Sequence, residues 1–107
     1  MDLTFEKSDI EIIMSNVKKT GYNPEDDEDY ASQNWHAGDD SAISIVPFNA
    51  LSKSTRRKMA KAVGNEVPDG AVVDFRWNIE WGNWSNLLSP DGKCLLNFYA
   101  EGLPLVA

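Results

Sequence analysis

The sequence predicts an α+β fold in which a small antiparallel sheet is packed by two helices within a single domain, residues 1–107. Three observations carry this reading. Between Val73 and Trp81, apolar and polar residues alternate without exception, the mark of an amphipathic strand. Two other segments repeat apolar residues at helical spacing and carry end signals. With 107 residues, the chain is long enough to bury roughly two-thirds of its unfolded surface in one core.

In chain order, Ser8-Asp9-Ile10-Glu11 fits a capping box that opens the first helix. Ile10, Ile13, Met14 and Val17 recur at i, i+3, i+4 and i+7 and form one apolar stripe. Lys18 and Lys19 suit the last turn, where cations favour the helix dipole, and Gly21 is expected to close the end. Residues 22 to 41 carry Pro24 and Gly38, show no sustained periodicity and read as a surface loop. A loop of that length in a compact domain is usually functional or disordered. Ala42 to Val46 is a candidate fourth strand before Pro47.

A second helix is expected from about Thr55 to Val63, capped by Ser54 or Ser52 and ended by Gly64. Arg56, Arg57 and Lys58 then fall in its first turn, where the dipole disfavours cations, so an anionic group is expected to compensate. The rest reads as a three-stranded meander. Pro68-Asp69-Gly70 introduces the first strand and Gly82-Asn83 ends it. Trp84 to Leu88 forms the second, and Ser89-Pro90-Asp91-Gly92 has the chemistry of a type I turn. The third runs from Lys93, with Cys94, Leu96, Phe98 and Ala100 on the apolar face.

The charge is not evenly spread. Residues 20 to 52 hold seven carboxylates, Glu25, Asp26, Asp27, Glu28, Asp29, Asp39 and Asp40, and no Lys or Arg. That segment's formal charge equals that of the whole chain, -7, so everything outside it sums to zero. Tyr30 and Trp35 follow the five consecutive acids, and acids beside aromatics suit a surface that receives a cationic partner. The plainer alternative is a solvated loop. A third is an internal clamp against Arg56, Arg57, Lys58 and Lys61. Glu25 to Tyr30, with Trp35, Asp39 and Asp40, are the candidate partner-binding residues.

No catalytic pattern is present, and the chain is not expected to be an enzyme. His36 with Asp39 and Asp40 matches no familiar metal-ligand spacing, and Asp26 to Tyr30 lacks the central Gly and terminal Glu of a calcium loop, so no metal or other cofactor is expected. Neither a Gly-x-Ser-x-Gly elbow nor a phosphate-cradling Gly-rich loop occurs. Cys94 is expected to be inert packing on the apolar face. Lys53, Arg56, Arg57, Lys58 and Lys61 raise the idea of a phosphate contact, but a pI near 4.5 argues against direct nucleic-acid binding. Trp77 and Trp81 read as core, while Trp35 and Trp84 flank turns and suit contact anchors.

A lone cysteine points away from a disulfide-stapled secreted scaffold. Met1 to Glu6 has no basic leader or apolar stretch, and no run approaches the ~20 apolar residues that span a bilayer. A cytoplasmic protein without membrane contact is therefore expected. The sequence carries no signal for oligomeric state.

In size, acidity and α+β plan the chain resembles the small acidic immunity proteins of bacterial toxin and immunity pairs, including those of contact-dependent growth inhibition. The resemblance spans the whole chain and is one of character, without a diagnostic motif. It implies a stoichiometric inhibitor that covers the active site of a basic toxin, a nuclease acting on RNA, tRNA or DNA. A nuclease must be cationic to hold phosphates, so an anionic plug complements it. An alternative is a phage-encoded or plasmid-encoded DNA mimic, although such a mimic would spread its acids along an elongated face. A second alternative is a small nucleic-acid-binding accessory domain or enzyme centred on the basic helix.

Overall fold

The computed structural model describes residues 2–19, 41–64, 66–78 and 82–103. The elements are β1 (Asp2–Leu3), α1 (Lys7–Ser15), β2 (Val17–Lys19), β3 (Ser41–Pro47), α2 (Lys53–Val63), β4 (Val72–Asn78), β5 (Gly82–Leu88) and β6 (Cys94–Ala100). They form one sheet in the order β1-β6-β5-β4-β3-β2. Five of its strands run antiparallel, and β1 adds a two-residue parallel pairing, Asp2 with Tyr99 and Leu3 with Ala100. The α+β architecture and the β4-β5-β6 meander are as expected; β2 and β1 extend the sheet beyond the four strands legible in the sequence.

Alternation along the strands sorts side chains by face. Val46, Val73, Phe75, Trp77, Leu87, Phe98 and Ala100 meet Ile13 of α1 and Met59 of α2 in one core, joined by Leu3, Phe48, Leu51 and Ala71. Phe75 packs edge-on against Phe98, with ring centroids 6.0 Å apart, and against Phe5 at 5.5 Å. Such edge contacts contribute about 0.5–1.5 kcal/mol beyond the buried area. Two polar atoms in this layer, Trp77 Nε1 and Ser85 Oγ, are buried with no hydrogen-bond partner among the described residues. Ser44, also buried, is satisfied: its hydroxyl donates to the Ile13 carbonyl at 2.6 Å and ties α1 to β3.

Both helices start earlier than the sequence pattern indicates. In α1 the N-cap is Glu6, whose backbone N–H donates to the Asp9 carboxylate at 3.1 Å, so the reciprocal Ser8/Glu11 box is not the one used. The Asp9 carboxylate also holds groups of α2, and this tertiary anchor fixes the start of α1. At the other end, the Ser15 hydroxyl and the Asn16 amide both donate to the Ile12 carbonyl at 2.8 Å. The helix stops there. Val17, Lys18 and Lys19 leave it for β2, pairing with Ser44, Ile43 and Ala42. The apolar match of Val17 to the helical stripe is coincidental, because a β-branched residue followed by two lysines suits a short edge strand equally well.

Ser52 caps α2, its hydroxyl accepting from the Thr55 N–H at 3.3 Å. The helix begins at Lys53, which carries Arg57 and Lys58 out of the first turn. Gly64 ends it in the left-handed region at φ 78°, donating to the carbonyls of Ala60 and Lys61.

The Ser89–Gly92 turn forms as expected, with the Gly92 N–H donating to the Ser89 carbonyl at 2.8 Å. The Ser89 hydroxyl hydrogen-bonds the Asp91 carboxylate and holds it below the ordinary carboxyl range. The strand that follows is not regular. Leu87 pairs with Leu96 but Leu88 pairs with Cys94, so β6 spends one extra residue in a bulge. The bulge turns Cys94 to the outer face, where it is exposed. The expectation that Cys94 packs inertly in the core is thereby corrected; Phe98 and Ala100, beyond the bulge, are buried as expected.

Candidate binding surface

The residues singled out for partner binding, Glu25, Asp26, Asp27, Glu28, Asp29, Tyr30, Trp35, Asp39 and Asp40, all lie outside the described residues, as does His36. The sheet register nevertheless fixes where that segment leaves the fold and where it returns. Lys19, the last residue of β2, is one step from Ala42 of β3 across an antiparallel pair. Paired Cα atoms of adjacent strands lie about 4.5–5.5 Å apart, so the described residues on either side of 20–40 lie side by side on the sheet. The ladder continues at that end from Ser41 to Asn78 and from Asn78 to Gly82. Asn78 and Gly82, the facing ends of β4 and β5, therefore lie at the same end of the sheet as Lys19 and Ser41.

The face opposite the helices is the other surface the fold presents. One row across it runs Ile45, Asp74, Asn86, Asn97, and the adjoining row includes Ile43 and Arg76. Asp74 and Arg76, expected on the polar side of their strand, do share it: Arg76 Nε donates to both Asp74 oxygens at 3.0 and 3.1 Å. Asn97 donates to Asn86 Oδ1 at 2.8 Å, and the Cys94 thiol lies 3.4 Å from the same oxygen. Ile45 is 54% exposed and Tyr99 43%. Alternation with Phe98 and Ala100 puts Tyr99 on the polar side of its strand, as found, whereas Ile45 lies in Ala42 to Val46, whose faces cannot be assigned without a pairing partner.

A third cluster joins the helices. Asp9 has no exposed surface, yet its carboxylate accepts from the Ser52 N–H at 2.6 Å, the Ser52 hydroxyl at 2.9 Å, the Thr55 hydroxyl at 2.5 Å and the Glu6 N–H at 3.1 Å. Burial alone would raise the pKa of such a group. The hydrogen bonds from Thr55, Ser52 and Glu6 outweigh it and hold the carboxyl below the ordinary value. Beside it the Ser54 hydroxyl donates to Glu6 Oε1 at 2.6 Å. Two carboxylates, Asp9 of α1 and Glu6 at its N-cap, thus stand at the start of α2 and bond Ser52, Ser54 and Thr55 there.

Arg56 Nε donates to the Leu51 carbonyl at 3.0 Å, and Lys53, Arg57, Lys58 and Lys61 are exposed. None of the five forms an ion pair with a described residue. Among the described residues no cluster of His, Cys, Asp or Glu could hold a metal ion, and no helix is long and apolar enough to cross a membrane. No protein-family model, curated protein or solved structure matches the chain.

Proposed function

We propose that this chain is an acidic protein-binding inhibitor, an immunity protein that neutralises a basic nuclease toxin in the cytoplasm by covering its active site. The observation that carries the reading is the concentration of the whole net charge, -7, in residues 20 to 52. Five adjacent carboxylates repel one another and cost stability, a cost that a cationic partner removes. The register of β2, β3, β4 and β5 adds support, since it brings Lys19 and Ser41, which flank the acidic residues, to the same end of the sheet as Asn78 and Gly82.

Co-purification from the native host identifies the partner, and a cleavage assay tests the reading. One molar equivalent of this protein is expected to abolish cleavage by the nuclease it captures. A nuclease that stays fully active at excess inhibitor, or capture of only acidic proteins, would overturn the reading.

A further inference from the structure

Every exposed residue of α2 is a cation: Lys53, Arg57, Lys58 and Lys61. Its remaining positions face the body of the protein or are half-buried, with Thr55 and Met59 fully inside. Lys53, Arg57 and Lys61 stand at i, i+4 and i+8, a straight row with successive members about 6 Å apart along the axis. Lys58 flanks the row. The helix is held at its N-terminus by Ser52 and Asp9 and at its C-terminus by Gly64, so the charges stand on a fixed rod.

The composition of this face narrows what it can meet. With no aromatic or aliphatic side chain, it lacks the anchor that a protein interface core requires, where lysine is depleted. The same lack removes the apolar wedge by which an interfacial helix enters a bilayer, and the stacking platform that holds a single strand. What a row of fixed donors without acceptors does fit is a phosphate backbone. With donors alone, it cannot accept a hydrogen bond from a 2′-hydroxyl and so has no acceptor with which to select RNA. We propose that the exposed side of α2 contacts the phosphates of a DNA duplex, without sequence preference. This goes beyond the inhibitor reading and does not depend on it.

Net charge argues the other way for the chain as a whole, but charges more than about 8 Å apart are largely screened at physiological ionic strength. The cations nearest a phosphate then contribute most to the contact. Glu6, bonded to Ser54, weakens the field at the start of the helix, so Arg57, Lys58 and Lys61 dominate.

The experiment is fluorescence anisotropy with a short labelled DNA duplex of arbitrary sequence and the full chain. Each phosphate contact contributes about -0.9 to the slope of log K against log salt, so the three dominant cations predict roughly -2.7, and all four at most about -3.6, between ~50 and ~200 mM salt. Replacing Lys53, Arg57 and Lys61 together by Gln is expected to remove most of that slope while far-ultraviolet circular dichroism stays unchanged. Lys93→Gln, in the β5–β6 turn, should leave it intact. No anisotropy change at the lowest salt, an equal loss in the Lys93 variant, a preference for RNA duplex, or binding to phosphatidylserine vesicles or polyglutamate without binding to the duplex would each overturn the proposal.

Discussion

Asp9 of α1 accepts a hydrogen bond from the Thr55 hydroxyl of α2 at 2.5 Å, with both residues withdrawn from solvent. The carboxylate joins the N-termini of two helices, and its other partners are Ser52 and Glu6. Removing it strands several buried donors, at about 1–3 kcal/mol for each left without a partner. Asp9→Ala is therefore expected to destabilise by roughly 3 kcal/mol, and Asp9→Asn by roughly 2 kcal/mol, because its amide turns a donor toward donors. Denaturant melts give both values. Wild-type stability in either variant would show that the two helices are not joined through this group.

The same group sets a pH dependence. A carboxyl whose folded pKa is depressed contributes stability that is fully present above its unfolded value, about 3.9, and is lost as pH falls through the folded value. The stability gap between wild type and Asp9→Asn should thus be widest near neutrality and close on acidification. A gap that is constant from neutral pH to acid would contradict the assigned ionisation.

Two buried serines give opposite expectations for one substitution. Ser44 donates to the Ile13 carbonyl, so Ser44→Ala leaves an acceptor unsatisfied and should cost about 1–3 kcal/mol. Ser85 Oγ has no partner among the described residues, and Ser85→Ala discards an unsatisfied group. It should be neutral or stabilising. Thermal melts of the pair decide the point, and equal losses would mean that Ser85 has a partner in solution.

Cys94 is expected to react with a thiol reagent in the folded protein at a rate close to that of a free thiol, because the bulge exposes it. Cys94→Ser should change stability by no more than about 0.5 kcal/mol. Labelling that requires denaturant would return the residue to the core.

The sequence revealed whatever rests on local chemistry. The period of β4 over its described residues, the turn at Ser89–Gly92 and the Gly64 stop are encoded within a few residues and form as expected, and Ser52 is the one of the two candidate serines that caps α2. What depends on a distant partner was hidden. The start of α1 is set by Asp9 reaching Ser52 and Thr55, 43 and 46 residues away. The outward turn of Cys94 requires knowing that Leu88 faces it across a bulge. Val17 satisfies a helical stripe and a strand equally, and only its pairing with Ser44 distinguishes them. The proposed binding segment is legible as charge, since seven acids without a cation need no fold to be seen; the register of its flanking strands shows where it joins the sheet.

The most direct test of the inhibitor proposal is the association rate with the captured basic nuclease, measured for wild type and for the combined Asp26→Asn, Asp27→Asn, Asp29→Asn variant across a range of salt. Steering by the acidic segment predicts fast wild-type association that slows steeply as salt rises, and slower, nearly salt-independent association for the variant, with melting temperatures alike. Identical association rates for the two proteins at low salt would contradict it.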